Sequence, residues 1–251
     1  LEPLRNARRH PEAVPPGLAT IGVLLVILFA LPLVGIAADC DCLPLEPPAD
    51  GDTVVTATTL AELQARISAA SGPTTIYLED GVYSVTPDSI VNVYRSDITI
   101  RSRSGERTGV IIEGQGMAAD GGIGHGIYVS ADNVTIADLT VRQTQHHGIF
   151  VTDGSDNCRI YNVVVTDTGE QLIKASGSGP KLNGSVACSW IGYTTVLNDD
   201  DDGWYTNGVD LIASEGWTIR NNVFRNIRYN PDLTGRLAGP AVLAWQGSAD
   251  T

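Results

Sequence analysis

The sequence predicts an all-β solenoid, one exported domain whose short strands repeat along the chain. Three observations carry this. The composition holds 27 Gly against 3 Phe and 1 Met, and with its many Val, Ile and Thr residues it favours strands and turns over helices. Two short patterns of alternating apolar residues recur after residue 125. Turn-forming tetrapeptides punctuate them: SADN (130–133), GSDN (154–157) and SADT (248–251).

Before the repeats come an export segment and a linker. Residues 1–17 carry Arg5, Arg8 and Arg9, and LATIGVLLVILFALPLVGIAA (18–38) has Thr20 as its only polar side chain. Small residues at Gly35, Ala37 and Ala38 suit signal-peptide cleavage after Ala37 or Ala38, while the length of the apolar run also suits a retained membrane anchor. Either way the basic flank stays inside and the rest is exported, to the periplasm, the medium or the cell surface. Asp39 before Cys40 disfavours a lipoprotein. Residues 39–54 read as a linker, DCDCLPLEPPADGD and its continuation. Its Cys40 and Cys42 are too close for a relaxed mutual bridge and too few for zinc, leaving exposed thiols or an intermolecular link.

The domain is expected over 55–251. TTLAELQARISAA (58–70) reads as its one clear helix, with Thr59 and Glu62 as a capping box and Leu60, Leu63 and Ile67 on one face. TTIYLEDGVYSV (74–85) follows as two short strands around Asp80-Gly81.

The repeats then align. VTIADLTV (134–141), CRIYNVVV (158–165), VACSWIGY (186–193) and WTIRNNVF (217–224) put Val134, Cys158, Val186 and Trp217 in one inward column and Ile136, Ile160, Cys188 and Ile219 in the next. A second strand recurs as GIYV (126–129), GIFV (148–151), LIKA (172–175), GVDL (208–211) and AVLA (241–244). The period varies over about 22 to 37 residues, as in a solenoid whose loops leave from the corners. SADT falls where a further coil should begin, so the chain is expected to be a fragment lacking later coils.

Helix, strand pair, SDITIRS (96–102) and the coils ending WTIRNNVFRNI (217–227) together resemble the right-handed parallel β-helix proteins of the pectate-lyase superfamily, nearest its chondroitinase-B and alginate-lyase branch. The resemblance covers 55–251 and implies an N-terminal capping helix. It implies a carbohydrate-active protein, with a polysaccharide as partner.

Alternation places Tyr128, Phe150, Lys174, Asp210 and Leu243 outward, stacked in successive coils. Aromatic faces suit sugar rings, and a neighbouring amine and carboxylate suit binding or proton transfer. A lyase of an acidic glycan needs a base beside the substrate carboxylate and a cation for the enolate-like intermediate. Lys174 is the candidate base, with Asp210 and Arg220 completing the catalytic set. Tyr128, Phe150, His147 and Arg225 are candidates for substrate binding, Arg225 within a basic strip with Arg220, Arg228 and Arg236. A cross-coil Lys174–Asp210 salt bridge is the competing reading. By the resemblance, Glu170 would ligate calcium ahead of a basic Lys174, although a single Glu precedes the Lys here. NDDDDGWYTNG (198–208) reads as a solvated corner loop, or as a calcium site through Asp201 and Asp202.

His125 and His147 are expected to stack as polar corner residues, with Gln171 and Asn207 continuing their column; together with His146 they could also bind a metal or a substrate. Cys158 and Cys188 are expected as buried thiols. The formal net charge of −13 disfavours nucleic acid. The leading function is therefore an exported polysaccharide lyase. The alternatives are a non-enzymatic glycan-binding or adhesive solenoid, and a glycoside hydrolase using Asp199–Asp202 with Asp210.

Overall fold

The structure is a computed structural model that describes residues 42–118, 124–197, 205–229 and 238–249. Among them, three parallel sheets of seven, six and six strands run along one axis. Each complete coil supplies a strand to each sheet. In the coil that starts at Ile127, these are Ile127–Val129, Thr135–Ala137 and Thr140–Thr144, after which Ile149–Val151 opens the next. We call the seven-stranded sheet I; it runs from Thr53–Ala57 to Thr218–Arg220. Sheet II runs from Val91–Val93 to Val242–Trp245, and sheet III from Gly81–Ser84 to Val223–Arg225. This is a parallel β-helix. No helix among the described residues is long and apolar enough to cross a membrane; the segment expected from sequence to direct export lies outside them.

The core follows from the period-2 alternation. Ile127, Ile149, Ile173 and Val209 pair in register and are fully buried, as are Val129, Val151, Ala175 and Leu211. Helix α1, Leu60–Ala69, adds Leu63 and Ile67 to this core. Thr59 caps it by accepting from the Glu62 amide at 3.1 Å, a contact of about 1 kcal/mol. The reciprocal half of the box lands one residue earlier: the Glu62 carboxylate accepts from Thr58 N at 2.8 Å and Thr58 Oγ1 at 2.9 Å.

Corners are turned by single residues in the left-handed region. Asp97, Asn133, Asn157 and Asn183 occupy one such column, and Asp138, Asn162, Cys188 and Asn221 another, all with φ between 49° and 60°. Asn and Asp tolerate this conformation because their short polar side chains bond locally. Here they bond up the stack: Asn133 Nδ2 donates to Asp97, and Asn157 Nδ2 to Asn133, at 2.8 and 2.9 Å.

Two expectations are corrected at these corners. Val186 pairs with Ile160 and Ile219, not with Cys158, so the 186–193 segment sits two places from the predicted register. The place opposite Cys158 falls to Gly184, where a Cβ would lie 2.2 Å from the Trp217 indole. A glycine is thus what admits Trp217 to the core. Cys188 consequently leaves the inward column for the left-handed corner, where it faces outward and bonds Cys42 with a Cα–Cα distance of 5.6 Å. Among the described residues Cys158 alone is a free thiol, buried and with its pKa pushed up to about 12 by that burial.

The disulfide fastens the linker as a strap over sheet I. Arg101 Nη1 donates to the carbonyls of Leu45 and Glu46 at 3.2 and 3.0 Å, the Tyr161 hydroxyl donates to the Leu43 carbonyl, and Leu45 rests on Ala137, Tyr161 and Ala187. Arg101 also bridges buried Asp138 at 2.8 Å.

Candidate functional site

The outward column of sheet II forms as expected: Tyr128, Phe150, Lys174, Asp210 and Leu243 are register partners in successive coils. At the edge of the same sheet, one place before Gly126 and Gly148, His125 and His147 stack at 5.1 Å with an interplanar angle of 18°. Phe150 lies 5.0 and 5.2 Å from these two rings, and Tyr128 lies 5.4 Å from Phe150. An aromatic and imidazole platform therefore adjoins the charged column.

Glu170 is placed by its own short segment. Gly169 sits where a Cβ would lie 2.1 Å from the Gln145 carbonyl and 2.4 Å from that of Met117, so only glycine lets the coils close here. The Glu170 carbonyl then accepts from Thr168 Oγ1 at 2.8 Å and Tyr193 OH at 3.1 Å. Fixed in this way, its carboxylate spans two imidazoles, with Oε1 3.3 Å from His146 Nδ1 and Oε2 3.3 Å from His147 Nε2.

Protonation follows from burial. Desolvation, reinforced by His146 and Lys174, pushes His125 down to about 4. Desolvation likewise holds His147 well below the ordinary histidine range, with His125 and Lys174 adding to it. The His147–Glu170 contact would be an ion pair with a charged imidazole, but burial of His147 makes it a neutral N–H donor to a carboxylate. A carboxylate can only accept, so a neutral His147 that turns its Nε2–H to Glu170 keeps its lone pair on the other nitrogen. For His147 that is Nδ1, which is buried and unpartnered. The His146 side chain is 21% exposed, with Nδ1 facing Glu170.

Lys174 Nζ lies 3.7 Å from Asp210 Oδ2 and donates to Gln171 Oε1 at 3.2 Å. Asp210 is buried, and its Oδ1 accepts from Trp245 Nε1 at 2.9 Å. Gln171 is oriented in turn by donating to the Tyr205 carbonyl at 2.7 Å. Lys174 thus presents N–H bonds over a fixed carboxylate.

Of the residues anticipated from sequence, Tyr128, His147, Phe150, Glu170, Lys174 and Asp210 come together. Arg220 and Arg225 do not: they end strands of sheets I and III, on other faces of the solenoid. Asp201 and Asp202 lie outside the described residues. Glu170 does not fit the calcium role, because its oxygens face imidazole nitrogens and calcium requires six to eight oxygen ligands. Among the described residues no group of three or more His, Cys, Asp or Glu side chains is arranged to hold a metal. His146 joins the group through Glu170, and its adjacency to His147 is the signal of it in the sequence.

Stacked parallel sheets, left-handed corner columns and a capping helix define a parallel β-helix protein. No protein-family model matches the chain. The pre-neck appendage protein of Bacillus phage B103 is 25% identical over 152 residues, covering 57% of this chain and 16% of that protein. Among solved structures, alginate lyase from Paenibacillus sp. str. FPU-7 shares 16% identity, covering 68% of this chain and 66% of its own, with a TM-score of 0.46. Pectate lyase Pel9A shares 12% over 66% of this chain and 47% of its own, TM-score 0.49. Pectin methylesterase PemA from Erwinia chrysanthemi shares 18% over 67% and 66%, TM-score 0.42. At these identities the likeness is one of fold.

Proposed function

We propose that this chain is an exported, carbohydrate-active β-helix protein that cleaves an acidic polysaccharide by β-elimination. The observation that carries the reading is the pairing of His146 with Glu170 beside Lys174. A part-exposed imidazole against a carboxylate and a cation stand on one face with an aromatic platform.

In this reading a uronate ring lies over Phe150 and Tyr128 with its carboxylate toward Lys174. Nε2 of His146 removes the proton on the carbon next to that carboxylate, and Glu170 stabilises the imidazolium that forms. The C–H electron pair becomes the new ring double bond. The glycosidic bond breaks, and its oxygen leaves with a proton from the Tyr128 hydroxyl. Lys174 neutralises charge on the carboxylate as the enolate-like intermediate develops. The role first expected for Lys174, that of base, passes to His146 because Asp210 and Gln171 use Lys174 as a donor.

A second reading, a glycan-binding solenoid, is favoured by the internal partners that Lys174 and Glu170 already possess. A hydrolase gains nothing from the described carboxylates. Glu170 is held by two imidazoles and Asp210 by Lys174 and Trp245, so neither is free to activate water.

Incubation with alginate, pectate and glycosaminoglycans separates these readings by ultraviolet absorbance of the unsaturated product. We expect a rise that falls about 10²- to 10⁴-fold in His146→Gln, the range typical of general-base removal, and falls comparably in Lys174→Met. Glycan binding without absorbance would assign the second reading. Neither binding nor absorbance would overturn both.

A further inference from the structure

Lys174 is held from two sides, and each hold is fixed by a later coil. On one side its Nζ donates to Gln171 Oε1 at 3.2 Å, and Gln171 Nε2 donates in turn to the Tyr205 carbonyl at 2.7 Å. On the other stands Asp210, whose Oδ2 is 3.7 Å from Nζ and whose Oδ1 accepts from Trp245 Nε1 at 2.9 Å. Trp245 closes the strand Val242–Trp245 of sheet II. There Leu243 pairs with Asp210 and Trp245 with Ile212, so alternation turns Leu243 and Trp245 to the outer face together. The backbone of Trp245 is pinned. Its carbonyl accepts from Ala213 N at 3.4 Å and from Ser248 Oγ at 3.0 Å, and Gln246 then turns the corner with a φ of 51°.

Lys174 and Asp210 stand too far apart to share a hydrogen bond. A charge-assisted N–H···O contact closes to about 2.7–2.9 Å, and Arg142–Glu113 and Arg103–Glu79 close to 2.7 and 2.6 Å. Asp138 also accepts from Asn162, yet it closes on Arg101 at 2.8 Å because the guanidinium brings two N–H bonds to one oxygen. An ammonium has no such fork. The two lysine pairs stay open, Lys174–Asp210 at 3.7 Å and Lys181–Asp153 at 3.9 Å. In both, other donors occupy the carboxylate: Trp245 Nε1 on Asp210, and Ser178 N and Oγ with Gly179 N on Asp153. An ammonium carries three N–H bonds. Lys174 spends one on Gln171 and none on Asp210.

We propose that Trp245 is a positioning residue of the proposed site: its indole N–H holds the Asp210 carboxylate back from Lys174. The ammonium then has a counter-charge beside it and keeps two N–H bonds for a carboxylate of the glycan. This inference rests on the acidic-glycan reading of the site. Asp210 is 2% exposed, so a carboxylate freed from Trp245 has little access to water and Lys174 is the donor at hand. It would rotate, close on the ammonium and compete with the ligand for the same N–H bonds. The N–H carries this role, and the exposed ring of Trp245 does not.

The test titrates the full chain with a hexauronate and with its fully methyl-esterified form, read by calorimetry. The variants are Trp245→Phe, Trp245→Leu and Asp210→Asn, the last alone and combined with Trp245→Phe. We expect Trp245→Phe and Trp245→Leu alike to weaken the hexauronate about tenfold, the scale of one hydrogen bond to a charged group, and to leave the ester unchanged. Thermal melts of both should stay near that of the parent. In Asp210→Asn, whose amide cannot close an ion pair, Trp245→Phe should cost less than about twofold, because residues that act through one another are non-additive. Equal losses for acid and ester would make the ring a stacking surface for sugar and overturn the proposal. So would a loss in Trp245→Leu that Trp245→Phe does not share, or an undiminished cost in Asp210→Asn. A parent that binds the hexauronate no better than Trp245→Phe does overturns this inference alone. A parent that binds no hexauronate overturns the acidic-glycan reading and this inference with it.

Discussion

His125 and His147 tie the site to acid sensitivity. Both are depressed below the unfolded value near 6.5, His125 to about 4 and His147 well below that unfolded value. Between those values and about 6.5 the unfolded chain binds more protons than the folded one, so stability is complete above about pH 6.5 and declines as pH falls toward 4. Thermal melts should show a lower Tm at about pH 5 than at about pH 7.5. His125→Phe, which keeps the stack on Phe150 without a titrating ring, should narrow the gap, and equal melting points at both pH values would contradict the assignment of neutral imidazoles. At this scale the sequence was legible where alternation applies. Tyr128, Phe150, Lys174 and Asp210 fall in one column because strands have period 2. The His146–Glu170 contact was not legible, since it lies across a corner, where no period relates one coil to the next. Asn222 bonds the backbone across its corner: its amide donates to the Val186 carbonyl and accepts from Ser189 N.

The elements of the fold depend on two small features. Gly184 leaves the volume that Trp217 fills, and the Trp217 Nε1 donates to the Lys181 carbonyl at 3.0 Å. Gly184→Ala should therefore destabilise by about 1–3 kcal/mol through overpacking. Combining it with Trp217→Leu should recover part of that loss, and additive denaturant midpoints for the two changes would refute the contact. The strap is the second feature. Cys42 and Cys188 are separated by 146 residues, so Cys42→Ser is expected to lower unfolding free energy by about 2–4 kcal/mol, read in denaturant, and a reductant should do the same to the parent. The register slip at 186–193 and the missed disulfide have one cause. A left-handed residue moves one place in the strand pattern to the outside, and Cys resembles an apolar core residue in sequence, whereas Asp138, Asn162 and Asn221 announce the same corner by their type.

The molecule as a whole carries a formal net charge of −13, which repels an acidic polymer at long range while Lys174 attracts it at contact. If uronates are the substrates, raising ionic strength from about 0.01 to 0.15 M should lower KM by shortening the screening length from about 30 to 8 Å, with little change in kcat. A KM that rises steeply with salt would indicate a basic binding strip in place of the single cation. The solenoid, its capping helix and its coil sequence could all be read in advance because every coil restates the same pattern. The outward apolar column of sheet III could not, because sequence alternation records it only as a strand that is apolar on both sides.

The strap also determines how the chain bears tension. Pulled from its two ends, a bare solenoid would peel rung by rung from a terminus. Here force entering ahead of Cys42 passes through the sulfur–sulfur bond to the coil at Cys188, and the 146 residues of separation between them stay slack. At about 3.3–3.6 Å per residue, roughly 500 Å of extension is withheld for as long as the bond is intact. Reduction would release that length, turning a short tether into a long one without loss of a single peptide bond.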